Sequence, residues 1–502
     1  VLFQTHTSAS VDPRLEYTPI EIDAWDEAEA AAQALPPHER ARSPENLDLV
    51  LQGPEFFGGN GFLGAYLTET EAQSGSTPAE ELANRRRTCQ QLDGVRLRYQ
   101  LNQPLKFRDS PTDVVRMLHH EGLAPIFTDH EIRASLSEDT VLLSIYERSV
   151  LIPARPGIIY MFVTAQTSRY VTVVYRGDQA QNQAEMKVTF SDGDSSRVIR
   201  FTPAAYRTAY LQNLLLEDPL SRDVSREAQA ALINEAGIYE GLLDQLAQFK
   251  QSGKRRLLIW PHGAYYFYPF HLLPTGNGRI VANDWAVASV PSLHSVVGAA
   301  PRRSGRSSVL ALASSTGGTQ FGLPAEPEVV QQARAVAKAF GATPLIDGDA
   351  ATTGRFFAGV KAARFIHLAA HGTQYPAAPL FDAIYLSDGP LYAYQVLNLD
   401  LHGVELVTLS ACESGLLRFD SSDNLHGMAA AFLRAGAAAV VGAMWPVRSE
   451  VTGTFFVELY HHIASGHGRL DAFRTAQTAA RRVFPQYRDW AAFNMIGDCR
   501  ER

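Results

Sequence analysis

A histidine and a cysteine occupy matching places in this sequence. His371 ends the apolar run "RFIHLAAHG" (Arg364–Gly372), and Cys412 ends the run in "VELVTLSACESG" (Val404–Gly415). Each is the first reactive residue beyond a segment with the composition of a buried strand. If those strands are neighbours and parallel, the imidazole and the thiol emerge on one edge, within reach of each other. A cysteine is already a better nucleophile than serine near neutral pH, and an imidazole beside it orients it and shuttles its proton, so such a pair suffices for acyl transfer. Gly372 leaves the N–H after the histidine unobstructed, and with the Cys412 N–H it offers an oxyanion hole. The inert alternatives are a structural thiol and a hydrogen-bonded histidine. No G-x-S-x-G elbow occurs, which disfavours a hydrolase serine. Alternation along the strand is expected to turn His367 the wrong way, into the core.

The elements that must position this pair follow from the pattern around it. "SSVLALASS", "ATPLID", "ARFIHLAAHG", "VELVTLSAC" and "AAAVVGAMW" read as strands, with helices such as "EPEVVQQARAVAKAF" and "NLHGMAAAFLRAG" between several of them. This alternation predicts an α/β domain, a mostly parallel sheet with helices on both faces, in which ligands meet residues at the carboxyl ends of strands. The window "AAAFLRAGAAAVVGAMWPV" (Ala429–Val447) approaches the length of a membrane span, but Arg434, Gly436, Gly442 and Pro446 interrupt it. It is expected to be a helix, a tight turn and a buried strand.

Upstream, "TVLLSIYERSVLIPA", "GIIYMFVTA" and "RYVTVVYRG" alternate like antiparallel strands, and the spacing from Pro203 to Phe249 is helical. "RRLLIWPHGAYYFYPFHLLP" (Arg255–Pro274) reads as a buried strand and an aromatic turn, with His262 and His271 in core or hydrogen-bonded roles. The first 128 residues resist assignment. "DAWDEAEAAAQAL" (Asp23–Leu35) looks helical, and "GGNGFLG" (Gly58–Gly64) holds a formal G-x-G-x-x-G without the strand that a dinucleotide site needs immediately before it, so it reads as a plain loop. No repeat of 20 to 50 residues is found.

Composition excludes several classes. Apolar residues make up 46%, charged residues 20%, and the net charge is −8, which describes a globular protein without the basic surface of a nucleic-acid binder. The short basic runs near residues 85, 255 and 302 lack interleaved aromatics. Three scattered cysteines, Cys89, Cys412 and Cys499, fit neither a disulfide framework nor a zinc site, and no metal or other cofactor is expected. A reducing cytoplasm and no membrane are the expectation. No signal peptide pattern opens the chain, and "VLFQ" resembles the remnant of a cleavable tag.

"IHLAAHG", "LVTLSACESG", "AAAFLRAGAAAVVGAMWPV" and "WAAFNMIGD" resemble successive motifs of the CHAT domain, a caspase- and separase-like cysteine peptidase family. "LLIWPHGAYYFYPFHLLP" and "DWAVASVPS" are similar to its earlier half, so the likeness runs from about Thr140 to Asp498. It implies a caspase-like sheet over residues 301–502 and a pseudo-protease-like α+β half over 129–300, and leaves residues 1–128 unassigned, as a candidate regulatory region. It further implies His371 as base, Cys412 as nucleophile and a protein or peptide substrate. Family members are often joined to sensor modules or switched on by a partner in bacterial conflict and antiviral defence systems. Two rivals are a silent peptide-binding scaffold and a thiol hydrolase of a small amide or ester. In the separase-like branch an acidic residue after "W-x-V" faces a substrate arginine. Here Trp445 is followed by "PVRSE", so Arg448, Ser449 and Glu450, together with Glu413, are the candidate substrate-binding residues. Arg448 is expected to face solvent or pair with Glu450, since a buried unpaired guanidinium is costly.

Overall fold

The computed structural model describes residues 129–148, 158–165, 171–178, 183–190, 196–201, 240–261, 266, 268–276, 278–291, 294–297, 308–374, 381–411, 418–419 and 425–499. The helix expected at Asp23–Leu35, the glycine-rich loop, Cys89, His262, Cys412 and Glu413 lie outside the described residues.

One sheet of 13 strands runs through the molecule. In chain order its strands are β1 (Thr140–Arg148), β2 (Ile158–Ala165), β3 (Val171–Asp178), β4 (Gln183–Phe190), β5 (Ser196–Phe201), β6 (Arg256–Pro261), β7 (Ala286–Ser289), β8 (Ser308–Ser314), β9 (Leu345–Ile346), β10 (Ala363–Ala370), β11 (Leu406–Ser410), β12 (Ala439–Ala443) and β13 (Phe493–Gly497). Across the sheet they lie in the order β9-β8-β10-β11-β12-β13-β7-β6-β1-β2-β3-β4-β5. From β9 to β1 every neighbouring pair is parallel except β12 with β13. From β1 to β5 the strands form an antiparallel meander; its first three strands are those that the alternating sequence predicts, and β4 and β5 extend it.

Helices cover both faces of the β8–β13 part, and this is why its strands read as continuous apolar runs. We label five of them: α1 (Glu328–Ala339), α2 (Thr353–Gly359), α3 (Met428–Arg434), α4 (Ser449–Ala464) and α5 (Arg469–Val483). Alternation divides the core cleanly. Phe365, Ala369, Leu406 and Val441 pack with Val329 and Val336 of α1 and with Phe455, Phe456 and Tyr460 of α4. Ile366, Leu368, Ala370, Val407 and Leu409 pack on the other face with Phe356 of α2 and Phe432 of α3.

Local sequence explains where the elements stop. Helix α1 follows Pro327, opens on Glu328 at the positive end of its dipole, and buries Val329, Ala333, Val336 and Ala337 at helical spacing. The apolar window is a helix, a turn and a buried strand as expected. The turn is at Gly436, whose φ of +111° suits glycine, and a Cβ there would lie 3.0 Å from the His402 backbone nitrogen. Among the described residues no helix is long and apolar enough to cross a membrane.

Candidate functional site

His371 stands one residue beyond β10, at the carboxyl edge of the sheet. It is largely buried. Its Nε2 lies 2.6 Å from the Pro324 carbonyl oxygen, which can only accept, so Nε2 carries the proton and donates it. The tautomer is thereby set, and Nδ1 is left as the basic nitrogen. Nδ1 lies 3.6 Å from Glu326 Oε1. Burial pushes the Glu326 carboxyl above its usual range; the nearby imidazole opposes that shift and the Glu328 charge adds to it.

Pro324 and Glu326 belong to the loop between β8 and α1, and Asp347 at the end of β9 secures that loop. Its Oδ1 accepts the Ser315 N–H at 2.6 Å and its Oδ2 accepts the Ser315 hydroxyl at 2.8 Å. The Ser315 carbonyl in turn accepts the Glu326 N–H at 2.8 Å. Asp347 has φ of +46°, the single non-glycine residue with positive φ among those described. Such a conformation costs about 1–3 kcal/mol and persists only where surrounding bonds hold it. Sequence reasoning did not find Pro324, Glu326 or Asp347. The available signal was topological, since a loop between a parallel strand and the next helix opens onto the carboxyl edge.

His367 is in the core, as expected, though not for the expected reason. Residues 367 and 371 differ by four and share a side of an alternating strand. Depth separates them. His367 is fully buried beneath α4, its Nδ1 lies 2.7 Å from Thr408 Oγ1, and Tyr460 Oη is 2.8 Å from that same oxygen. Burial lowers its pKa to about 3, so the imidazole is neutral. His271 is also a core histidine, donating from Nε2 to the Ala491 carbonyl at 2.9 Å, with burial lowering its pKa to about 4.

Beside His371 a cleft of about 320 Å³, its open mouth included, is lined by Glu326, Val329, Ser410, Ala411, Ala443, Val447, Ser449 and Thr452. Of the expected substrate-binding positions, Ser449 lines it. Glu450 is exposed in the first turn of α4 and Arg448 is turned away, so neither does. Arg448 pairs with Asp489 at 2.9 Å, not with Glu450, and lies over the Phe484 ring at 5.5 Å. The buried Asp489 carboxylate is the stronger partner because it has lost its water, whereas Glu450 keeps its own. Gly372 opens the two-residue strand Gly372–Thr373, which pairs with Ala383–Leu386, and the His371 carbonyl accepts the Tyr385 N–H at 2.9 Å. Among the described residues no cluster of three or more metal-ligating side chains occurs.

The model of the CHAT domain matches residues 211–498, more than half of the sequence. The chain belongs to the CHAT domain family. Tetratricopeptide repeat protein 28 of Mus musculus is 24% identical over 299 residues, which are 48% of this chain and 12% of that protein. Among solved structures, the separase of the Saccharomyces cerevisiae separase–securin complex superposes with a TM-score of 0.53 at 9% identity, covering 95% of this CHAT chain and 40% of the other. The Arg-specific cysteine proteinase gingipain R gives a TM-score of 0.40 at 12% identity, over 56% of this chain and 68% of that one. This chain therefore spans well under half the length of the mouse relative and of separase. What the likeness shows is the fold, the caspase-like α/β sheet that cysteine peptidases use.

Proposed function

We propose that this CHAT domain is a cysteine endopeptidase that cuts a protein partner through His371 and Cys412. One observation carries the reading. Strands β10 and β11 are adjacent and parallel, with Ala369 opposite Ser410. From each of these residues a count of two along the sequence reaches His371 and Cys412. The face is also matched in parity, for Thr408 bonds His367 and Ser410 bonds Gln332 of α1, both on the α1 side where His371 meets the loop before that helix.

In this reading His371 Nδ1 takes the Cys412 thiol proton and the thiolate adds to the carbonyl carbon of the scissile bond. The oxyanion is held by the Gly372 and Cys412 N–H groups. The Pro324 carbonyl stabilises the imidazolium, since a protonated ring donates more strongly from Nε2. The imidazolium then returns its proton to the leaving amine as the C–N bond breaks, giving a thioester and a free amine. Water, deprotonated by Nδ1, attacks the thioester, releasing the new carboxyl terminus and restoring the thiol. A reducing compartment such as the cytoplasm suits an unpaired catalytic thiol. Control by an upstream signal or partner, as in a bacterial defence system, belongs to this reading through the family alone, with residues 1–128 as the candidate regulator.

The test is to incubate the full chain with a diverse proteome and sequence the new termini, beside Cys412→Ala and His371→Ala. Cleavages made by the parent chain and by neither variant support the dyad. Turnover retained by Cys412→Ala rejects it, and an unchanged proteome favours a scaffold.

A further inference from the structure

We infer that Gln332 is a positioning residue, whose buried amide fixes the end of the strand that runs on into Cys412 against the loop that holds His371. The inference rests on the peptidase reading and adds to it a residue that lies on neither strand-end motif.

Gln332 interrupts an apolar face. The residues that α1 buries are Val329, Gln332, Ala333, Val336 and Ala337, and Gln332 is only 4% exposed. A methionine would fill the same space and need no partner, whereas a buried amide is costly unless its oxygen and its nitrogen are bonded. Here both are. The Thr452 carbonyl can only accept, so Gln332 Nε2 donates to it at 3.2 Å, which turns Oε1 toward Ser410. The Ser410 hydroxyl therefore donates to Oε1, at 3.0 Å. A fully bonded buried amide specifies one arrangement of its neighbours, which an apolar side chain does not.

The neighbours so fixed are those that the proposed chemistry needs. Ser410 ends β11, and the sequence reaches Cys412 two residues later. On the other side, the Val329 N–H donates to the Glu326 carbonyl and the Val330 N–H to the Pro327 carbonyl, each at 3.3 Å. The first turn of α1 is thereby continuous with the loop whose Pro324 carbonyl accepts from His371 Nε2. Thr452 stands in the first turn of α4 and lines the cleft beside His371. One side chain thus ties the strand of the thiol, the loop of the base and a wall of the cleft together. Its bond falls on the last residue of β11, where a displacement passes straight into the residues that follow. A misplacement of about 1 Å between reacting groups can cost about a hundredfold in rate.

The experiment uses the full chain and a small thiol reagent, iodoacetamide, so that no substrate need be known. The rate of Cys412 alkylation, read from the mass of its tryptic peptide, is compared across pH in the parent, His371→Ala, Gln332→Met, Gln332→Glu and Ser410→Ala. The thiolate is the reacting species, so a base within reach speeds alkylation below the ordinary thiol pKa of about 8.5. At about pH 6.5 the parent should label about tenfold faster than His371→Ala, and Gln332→Met should lose most of that advantage. Gln332→Glu separates position from packing, because its neutral carboxyl offers the same acceptor and donor. It should match the parent at low pH and fall to the rate of Gln332→Met as the carboxyl ionises. Ser410→Ala should slow labelling by itself and add nothing in the Gln332→Met background, since the two residues are the ends of one bond. Parent-like labelling of Gln332→Met overturns the assignment, as do losses that multiply in the double variant, or a Gln332→Glu that follows Gln332→Met at every pH. Each of these leaves Gln332 a core-filling residue and the dyad standing. If Gln332→Met does not fold, Ser410→Ala decides, and parent-like labelling there overturns the assignment. A His371→Ala profile identical to the parent's rejects the dyad, and the assignment falls with it.

Discussion

Two places in the sheet carry the same local signature. Strand β6 ends at Pro261 and is followed by His262-Gly263; strand β10 ends at Ala370 and is followed by His371-Gly372. Both strands are parallel to both of their neighbours. The difference lies in those neighbours. Beside β10 stands β11, whose sequence runs on into Cys412. Beside β6 stand β1 and β7, and no cysteine occurs in the residues that follow either one. A strand-end histidine is thus common to both parts of the sequence, while a neighbouring strand that runs on into a cysteine, and the cleft beside it, belong to the C-terminal part. What a histidine can do is decided by the strand next to its own.

The sharpest way to break this comparison is to truncate both histidines. On the proposed dyad, His371→Ala and Cys412→Ala should each lower turnover by at least about a thousandfold, since acid–base and nucleophilic catalysis would both pass through the pair. His262→Ala should leave turnover unchanged. Comparable losses at His262 and His371, read as kcat/KM on one peptide, would give the N-terminal part a share in the chemistry.

A second contrast lies within β10. His371 stands at the edge with Nδ1 3.6 Å from Glu326, whereas His367 is neutral in the core with its pKa lowered to about 3, and His271 resembles it at about 4. In the unfolded chain both titrate near 6.5. Below that value the unfolded state binds more protons than the native one, so their contribution to stability is complete above about pH 6.5 and is lost as pH falls toward 4 and 3. Each histidine contributes a slope of at most about 1.4 kcal/mol per pH unit in that window. Melting temperatures should fall between pH 6.5 and 4.5, and His367→Asn should make that fall shallower. A flat profile would place the imidazoles in contact with solvent.

The loop that holds Pro324 and Glu326 sharpens the comparison further, because it is fastened by Asp347. Asp347→Ala should reduce kcat about tenfold by loosening the Nε2 partner of His371. Asp347→Asn, which keeps an acceptor and tolerates positive φ, should recover most of that loss. Equal damage in both variants would mean that the charge, and not the position of the loop, matters.

The smallest effect is expected at Arg448. Its removal strands the buried Asp489 carboxylate, but the guanidinium is nearly half exposed, so the cost to stability should be about 1 kcal/mol. The ranking of otherwise identical peptides carrying Arg, Leu or Asp before the cut should not change in Arg448→Ala. A selective loss of cleavage after Asp in this variant would return Arg448 to the substrate pocket.

The sequence by itself determined the class of the fold and the edge on which chemistry is expected. Apolar runs of strand length with helices between them can bury both faces only as a mostly parallel sheet, and the three segments between Thr140 and Gly177 alternate because they are strands of an antiparallel meander. His371 stood out because a polar residue after such a run must emerge at an edge. Short-range pattern also called for a tight turn between helix and strand within Ala429–Val447, which the structure places at Gly436. Only the tertiary structure decided which strands are neighbours, since pairing joins residues far apart in the chain, as Phe365 and Leu406 are. It alone brought Pro324 and Glu326, about 45 residues upstream, against the imidazole. It alone diverted Arg448 to Asp489, which no local spacing connects. Strand and helix propensities act over a few residues, whereas the protonation, partner and exposure of a side chain depend on every segment that packs around it.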